Sequence, residues 1–337
     1  MKLKTKAGWL LGAALLLLAF ILPSWVQAAE SNAVSTEQTK ALTPIKIGVV
    51  TWIGVAPLYL AQQKQFWAKR GLDVTIVRIQ GGSDRVAAMR SGGIDAAGLA
   101  ADAWARFFNL GTDAQIVLVL NESKGADGIV ARNDIKNVKD FKGKKVAFQS
   151  GISSEFLLGT VLKSAGLTMH DIIPVDLDGG ASGAAFVAHR VDVAVTFEPW
   201  LSKASAAGGR VIVSSADYPG LIVDAVAFSN DFIAKHPDSV KAFVAGYFDA
   251  VDYMHTQPDD AAAVMGQFVG LSPADFEAQA KGVHFYRRDE MRSYVDAEGP
   301  PSISAVYKNA AEFWKAAGQI STIKASGKVI NALFLAK

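Results

Sequence analysis

Residues 45–97, IKIGVVTWIGVAPLYLAQQKQFWAKRGLDVTIVRIQGGSDRVAAMRSGGIDAA, and residues 145–194, KVAFQSGISSEFLLGTVLKSAGLTMHDIIPVDLDGGASGAAFVAHRVDVA, follow one plan. Each opens on an apolar strand (Ile45–Val50; Lys145–Gln149) and a small-residue loop. A helix follows, stopped by Gly71-Leu72 in the first copy and Gly166-Leu167 in the second. Next come a β-branched strand (Val74–Ile79; Ile172–Leu177), a Gly/Ser-rich helix start and a short strand (Ile94–Ala97; Val191–Ala194). The paired landmarks Gly71 and Gly166, Gly81 and Gly179, and Asp95 and Asp192 lie 95, 98 and 97 residues apart. Strand–helix–strand–helix–strand units build parallel sheets, because each crossover must return over the sheet face. The plan therefore predicts two α/β lobes of like topology.

The rest of the chain joins the lobes. A strand at Gln115–Leu120 leads through Asn121–Gly128 to Ile129–Ala131, and Leu221–Phe228 leads back. Helices after Asn230 (Phe232–Tyr253, Pro258–Val269, Pro273–Gly282 and one ending near Gly318) have no strand partners of their own and complete the first lobe. The boundaries drawn are residues 44–128 plus 229–325 for lobe 1, 129–228 for lobe 2 and 326–337 as a tail. Two crossovers make a hinge and leave a cleft, and open α/β sheets bind ligands beyond the carboxyl ends of their strands.

The chain has 337 residues, half of them apolar and 20% charged, which suits two packed domains and excludes a disordered or fibrous chain. With 34 basic and 32 acidic residues, no overall field favours nucleic acid. The absence of cysteine excludes disulfides, thiolate metal sites, a cysteine nucleophile and a lipid-anchored cysteine. Lys2, Lys4 and Lys6, the apolar run Ala7–Leu22 and the small residues at Val26–Ala28 read as a signal peptide cleaved after Ala28. The run has 16 residues, short of the roughly 20 needed for a span. Cleavage removes three positive charges, so +2 becomes −1, and the expected product is a soluble, exported chain. Residues 29–43 read as a polar disordered leader, and no membrane segment or signalling domain is expected beyond Lys337.

No catalytic constellation stands out. The five histidines (170, 189, 236, 255, 284) are scattered, without metal-ligand spacing. Gly151-Ile152-Ser153-Ser154-Glu155 ends in Glu where a nucleophile elbow needs glycine. No dinucleotide fingerprint or phosphate loop is present. The reading is a binding protein without metal or cofactor.

The positive signal lies in the helix starts Gly81–Asp84, Ser150–Ser154 and Gly179–Ser182, whose N–H groups suit an anion. Plain capping by Ser83, Ser153 and Ser182 is the alternative. Against them stand the carboxylates Asp102, Glu122, Asp127, Glu198 and Asp224. Glu198-Pro199-Trp200 reads as a helix cap or as an acid receiving an ammonium group beside an aromatic face. Capping is the better reading for Asp102; Asp127 and Asp224, near the crossovers, suit the hinge equally. Trp52 follows the first strand, where an aromatic cleft wall is expected. Phe66-Trp67 and Phe107-Phe108 read as core.

Ile45–Tyr59, Gly92–Ala97, Asp140–Val146 and Glu198–Trp200 resemble the nitrate/sulfonate/taurine-type substrate-binding proteins of ABC transporters, and the resemblance runs from about Pro44 to Gln319. It implies a type II periplasmic-binding-protein clamshell that opens and closes on a small solute. Its partner would be an inner-membrane permease, and it would work as a monomer. By position, the family's cleft residues fall on Trp52, Gly54, Gly82, Ser83, Ala100, Asp102, Ser150, Ser153, Ser154 and Glu198; Glu122, Asp127, Trp200 and Asp224 join them on their chemistry. Relatives taking sulfonates have little use for an acid at Glu198. The favoured ligand is therefore an amine, an amidine or a zwitterion such as taurine, with an alkanesulfonate, nitrate or a pyrimidine as alternatives. An intracellular thiamine-pyrimidine-synthase-like branch shares the lobe design but carries a cysteine-rich motif, which this chain lacks. A ligand-sensing module for a membrane receptor would share the clamshell too.

Overall fold

The computed structural model describes residues 41–296 and 301–335. The signal peptide and residues 29–40 of the leader lie outside them. The elements run β1 (Thr43–Val49), α1 (Ala56–Gln63), β2 (Leu72–Arg78), α2 (Gly82–Arg90), β3 (Ala96–Ala100), α3 (Ala101–Asn109), β4 (Ala114–Ser123), β5 (Asp127–Ala131), β6 (Lys145–Phe148), α4 (Ser153–Ser164), β7 (Ile173–Asp176), α5 (Gly179–Val187), β8 (Val193–Phe197), α6 (Trp200–Ala206), β9 (Arg210–Ser214), β10 (Val223–Ser229), α7 (Asn230–Lys235), α8 (Pro237–Thr256), α9 (Pro258–Val269), α10 (Pro273–Ala280), β11 (Val283–Phe285), α11 (Arg288–Asp296), α12 (Ile303–Ala316) and α13 (Ala332–Leu335). No described helix is long and apolar enough to cross a membrane.

The duplication is physical. β2-β1-β3 and β7-β6-β8 are parallel triplets in two separate sheets. Asp95 and Asp192 sit at equivalent points: each carboxylate accepts a 2.8 Å bond from the first-strand N–H of Lys46 and Lys145 respectively. β3 and β8 therefore each start two residues later than the apolar pattern suggests, with the aspartate outside as a clasp. Gly71 and Gly166 adopt φ of +81° and +75°, a conformation that costs a residue with a Cβ. The next N–H then closes the turn, from Leu72 to Trp67 beyond the end of α1 and from Leu167 to Leu162 of α4.

The complete orders are β11-β4-β10-β3-β1-β2 and β7-β6-β8-β5-β9. The two chain crossings are built into the sheets. β5, arriving from the first lobe, pairs antiparallel with β8 and β9. β10, returning from the second, lies between β3 and β4. The boundary drawn at residue 228 therefore falls inside a first-sheet strand, and the crossing is the Ser215–Ile222 segment. The second sheet shows period-two burial. Ile129, Val146, Phe148, Val193 and Val195 pack with Leu157, Leu158 and Val161 of α4, while Val130, Ala147 and Ala194 pack with Phe186 of α5 and Leu201 of α6.

Three expectations are corrected. Residues 326–335 are no tail: Ile330 bridges Ile116, Asn331 N–H donates to the Ile116 carbonyl, 2.9 Å, and Phe334 and Leu335 are buried. The helices after Asn230 do bring a strand, since β11 pairs with β4; three residues are too few to show a period. The helix expected over 232–253 breaks at His236, where Pro237 cannot donate and opens α8 instead. In addition, Thr43, assigned to the leader, begins β1. Among the described residues, Trp67, Trp104 and Trp314 are buried with each indole N–H spent on a carbonyl, of Phe243, Ala225 and Asp102.

Candidate functional site

The carboxyl ends of the parallel strands converge. β1 delivers Val50 and Trp52, β2 Gln80, β3 Ala100, β6 Gln149, and β8 Thr196 and Phe197, all lining a cavity of about 60 Å³ between the sheets. That volume holds a few waters, or one small solute. Val55, Leu99, Ile152, Val195 and Ile222 make much of its wall apolar. Trp52 of the first lobe meets Phe197 of the second edge-on, centroids 5.4 Å apart.

Of the residues expected at a site, Trp52, Ala100, Asp127, Ser153, Ser154 and Asp224 line this cavity. Asp102 stands just behind, its Oδ1 accepting from Ser153 Oγ of the other lobe, 2.9 Å. Gly54 lies beneath the Trp52 indole and its carbonyl accepts from Asn121. Gly82 lets α2 approach Ile152, whose Cγ2 would be 2.8 Å from any Cβ there. The others stand apart. Ser83 and Ser150 are exposed. Glu122 accepts from Gly220 N–H, 2.8 Å, and pairs with Lys124, anchoring the second crossing. Trp200 covers Gly180 and Gly183 and carries Lys203 Nζ over its ring.

Glu198 is reassigned. Its oxygens accept from Ser202 N–H (3.0 Å) and Ser202 Oγ (2.7 Å), so it holds the start of α6 and does not line the cavity. The serine caps also differ: Asp178 caps α5 through Ala181 N–H, 2.8 Å. A carboxylate there weakens that helix end as an anion site.

The charged groups left in the cavity are Asp127, Asp224 and Arg85. Trp52 Nε1 donates to Asp224 Oδ2, 2.7 Å. Burial raises the Asp224 pKa, while Trp52, Asn121 and Arg85 oppose the rise. Burial pushes Asp127 up to about 7 and Asp102 up to about 8, with Asp224 adding to both. One oxygen, Oδ2, of each of these two is buried without a partner. Arg85 donates to the carbonyls of Ile79 and Gln80 (2.6 and 3.1 Å); burial lowers its pKa to about 10, still a cation at neutral pH. Sequence reading missed Arg85, Gln80, Gln149, Thr196 and Phe197. The two glutamines had a usable signal, standing at or next to the carboxyl ends of expected strands; Phe197 lies beyond the Val191–Ala194 strand expected and joins it because β8 runs on to residue 197. Arg85, inside a polar helix, had none.

The lobes also meet beside the cavity. Arg106 Nε donates to Gln319 Oε1 (2.7 Å), Gln319 Nε2 to Glu155 Oε1 (2.6 Å), and Gly151 N–H to Glu155 Oε2 (2.6 Å). Gln319→Ala removes the middle of this chain, worth about 1–2 kcal/mol of closed form. Solute affinity should fall about tenfold by calorimetry with no cavity residue changed; unaltered affinity would show that the contact does not bias closure.

Comparison with known proteins agrees with this architecture. The chain is 30% identical over 272 residues to a protein named "Putative aliphatic sulfonates-binding protein" of Escherichia coli K12, spanning 75% of this chain and 76% of the relative. It is 22% identical over 289 residues to the taurine-binding periplasmic protein of the same strain, 83% and 89% of the two chains. The alkanesulfonate-binding protein SsuA from Xanthomonas axonopodis pv. citri, solved bound to MOPS, superimposes with a TM-score of 0.74 at 22% identity, over 86% of this chain and all but 1% of that one (99%). The two-lobed binding-protein fold is therefore as the sequence implied. The family described as NMT1/THI5 like matches residues 52–261, well over half of the chain, which thus belongs to the NMT1/THI5-like family.

Proposed function

We propose that this chain is the solute-binding component of an ABC-type importer, working outside the inner membrane as a monomer and delivering to a permease. Its solute is small and carries a protonated nitrogen: an amine, an amidine or a zwitterion such as taurine. The observation that carries the ligand class is the pair Asp127 and Asp224 in one small aromatic-walled cavity, with Asp127 Oδ2 buried and unspent. A buried acceptor without a donor costs free energy that a docking N–H group recovers. Relatives named as binding proteins favour capture over catalysis, and the leader read at residues 1–28 fits that location.

One observation supports an acidic group on the same solute. Arg85 lines the cavity and its Nε is buried without a partner. A zwitterion would use both ends; a sulfonate or nitrate would use this one alone. A thermal-shift panel separates these readings. At 100 times its dissociation constant a ligand adds about 2.7 kcal/mol. Methylguanidinium, small amines and taurine should raise the melting temperature, and methanesulfonate, nitrate and bicarbonate should not. A response to anions alone would overturn the cationic reading and leave the importer role standing.

A further inference from the structure

We infer that the cavity takes its cation in exchange for a proton, with Asp127 as the exchanging group: it is a neutral acid in the empty closed site and an anion under the bound nitrogen. The inference rests on the cationic reading above and goes beyond it in fixing the charge state. The exchange balances as Asp127–COOH plus R–NH₃⁺ giving Asp127–COO⁻ paired with R–NH₃⁺, plus H⁺ released to solvent.

The argument starts from what surrounds each carboxylate. Asp224 has Trp52 Nε1, Asn121 and Arg85 to hold a negative charge. Asp127 has none of these. Its N–H is tied to Ser123 Oγ, 3.1 Å. The groups acting on its carboxyl are the Ser123 hydroxyl on β4, Asp224 on β10 and Glu198 after β8, and no basic side chain is among them. Arg85 acts on Asp224 and on Asp84 of its own helix, and its Nη1 is committed to two carbonyls. Two neighbouring half-buried carboxylates served by one cation cannot both ionise cheaply, so the one whose side-chain donor is a single hydroxyl keeps its proton. Burial and the two neighbouring acids place that proton's pKa at about 7. Asp102 is fully buried behind the wall with Ser153 as its side-chain donor, and burial raises its pKa to about 8; it does not line the cavity. A cationic nitrogen on the free Oδ2 supplies the missing countercharge.

Such exchange gives a pH dependence that a preformed ion pair lacks. Below the Asp127 pKa, each unit of acidification must weaken binding by about tenfold, and above it affinity levels off. The test uses the full mature chain and methylguanidinium chloride, which stays protonated throughout. Calorimetry at about pH 6, in two buffers of different ionisation enthalpy, should report close to one proton released per cation bound. Affinity in wild type should climb about tenfold per unit toward pH 7, while Asp127→Asn binds weakly with no such slope. Binding without proton release, or a flat profile in wild type, overturns the exchange and leaves the cationic site intact. A ligand-free arm separates the two failures. Near pH 6 the infrared absorption of protonated carboxyls should be stronger by one group in wild type than in Asp127→Asn. Equal absorption in the two folded proteins overturns the inference whatever the probe does. Binding of methanesulfonate with none of methylguanidinium removes the cationic reading and the exchange together.

Discussion

Asp224→Ala is expected to abolish solute binding and to destabilise the folded chain by about 3–5 kcal/mol. The residue is the joint between hinge and cavity: it lies one position into β10, paired with Ala100 on one side and Asn121 on the other. Its carboxylate receives the Trp52 indole at 2.7 Å and offsets the charge of Arg85, which is only 3% exposed. Alanine strands two donors and leaves the buried guanidinium with Asp84 alone as a neighbouring acid, the costly way to break such a pair. Asp224→Asn keeps an acceptor for Trp52 but not the charge, so it should lose less stability while still losing affinity for a cation. Urea unfolding gives the first quantity and calorimetry the second. A shift below about 1 kcal/mol for the alanine variant would mean that Arg85 finds its countercharge elsewhere.

Trp314→Ala should cost about 3–5 kcal/mol as well, by a different route. The side chain is wholly buried in α12, its Nε1 donates to the Asp102 carbonyl at 2.7 Å, and its ring meets Phe313 at 4.9 Å and Phe156 at 6.1 Å. Phe156 belongs to α4 of the other lobe, so the cavity left behind opens onto the interlobe contact. Solute affinity should fall along with the melting temperature. Trp314→Phe, which keeps most of the volume and loses the N–H, should cost about 1–2 kcal/mol. Equal losses in the two variants would place the effect in the hydrogen bond and not in packing.

How far the sequence carried the fold depends on the range of the interactions. The duplicated half-sheets were legible because Gly71 and Gly166 act within a few residues of where they stand, and because Asp95 and Asp192 recur at matching places in the two copies. The slot taken by β10, between β3 and β4, leaves no local trace, since it joins residues about a hundred positions apart. Val283–Phe285 and the buried residues Val329, Ile330, Phe334 and Leu335 were lost the same way. At the site, Trp52, Asp127 and Asp224 were legible from their places beside strand ends and crossings. Glu198 was misread because a glutamate before a helix suits a cap and a ligand pocket equally. Ser202, four residues on, decides it by donating its N–H and hydroxyl to the carboxylate, and sequence does not show which partner a side chain turns to.

The strand order has a consequence for how the chain is made. Among the described residues β4 is flanked by the strands β10 and β11, with Ile330 bridging Ile116, and all of these emerge about a hundred residues or more after it. Until then its run AQIVLVLNES presents two bare edges, the kind of segment that seeds mispairing. The five strands of the second sheet, by contrast, lie in one unbroken stretch from Asp127 to Ser214. In synthesis order the later lobe is the first that has all its strands, and the earlier lobe waits for the C-terminal third. A nascent chain with so long an exposed window is best kept unfolded by a holding factor until its last residues are available.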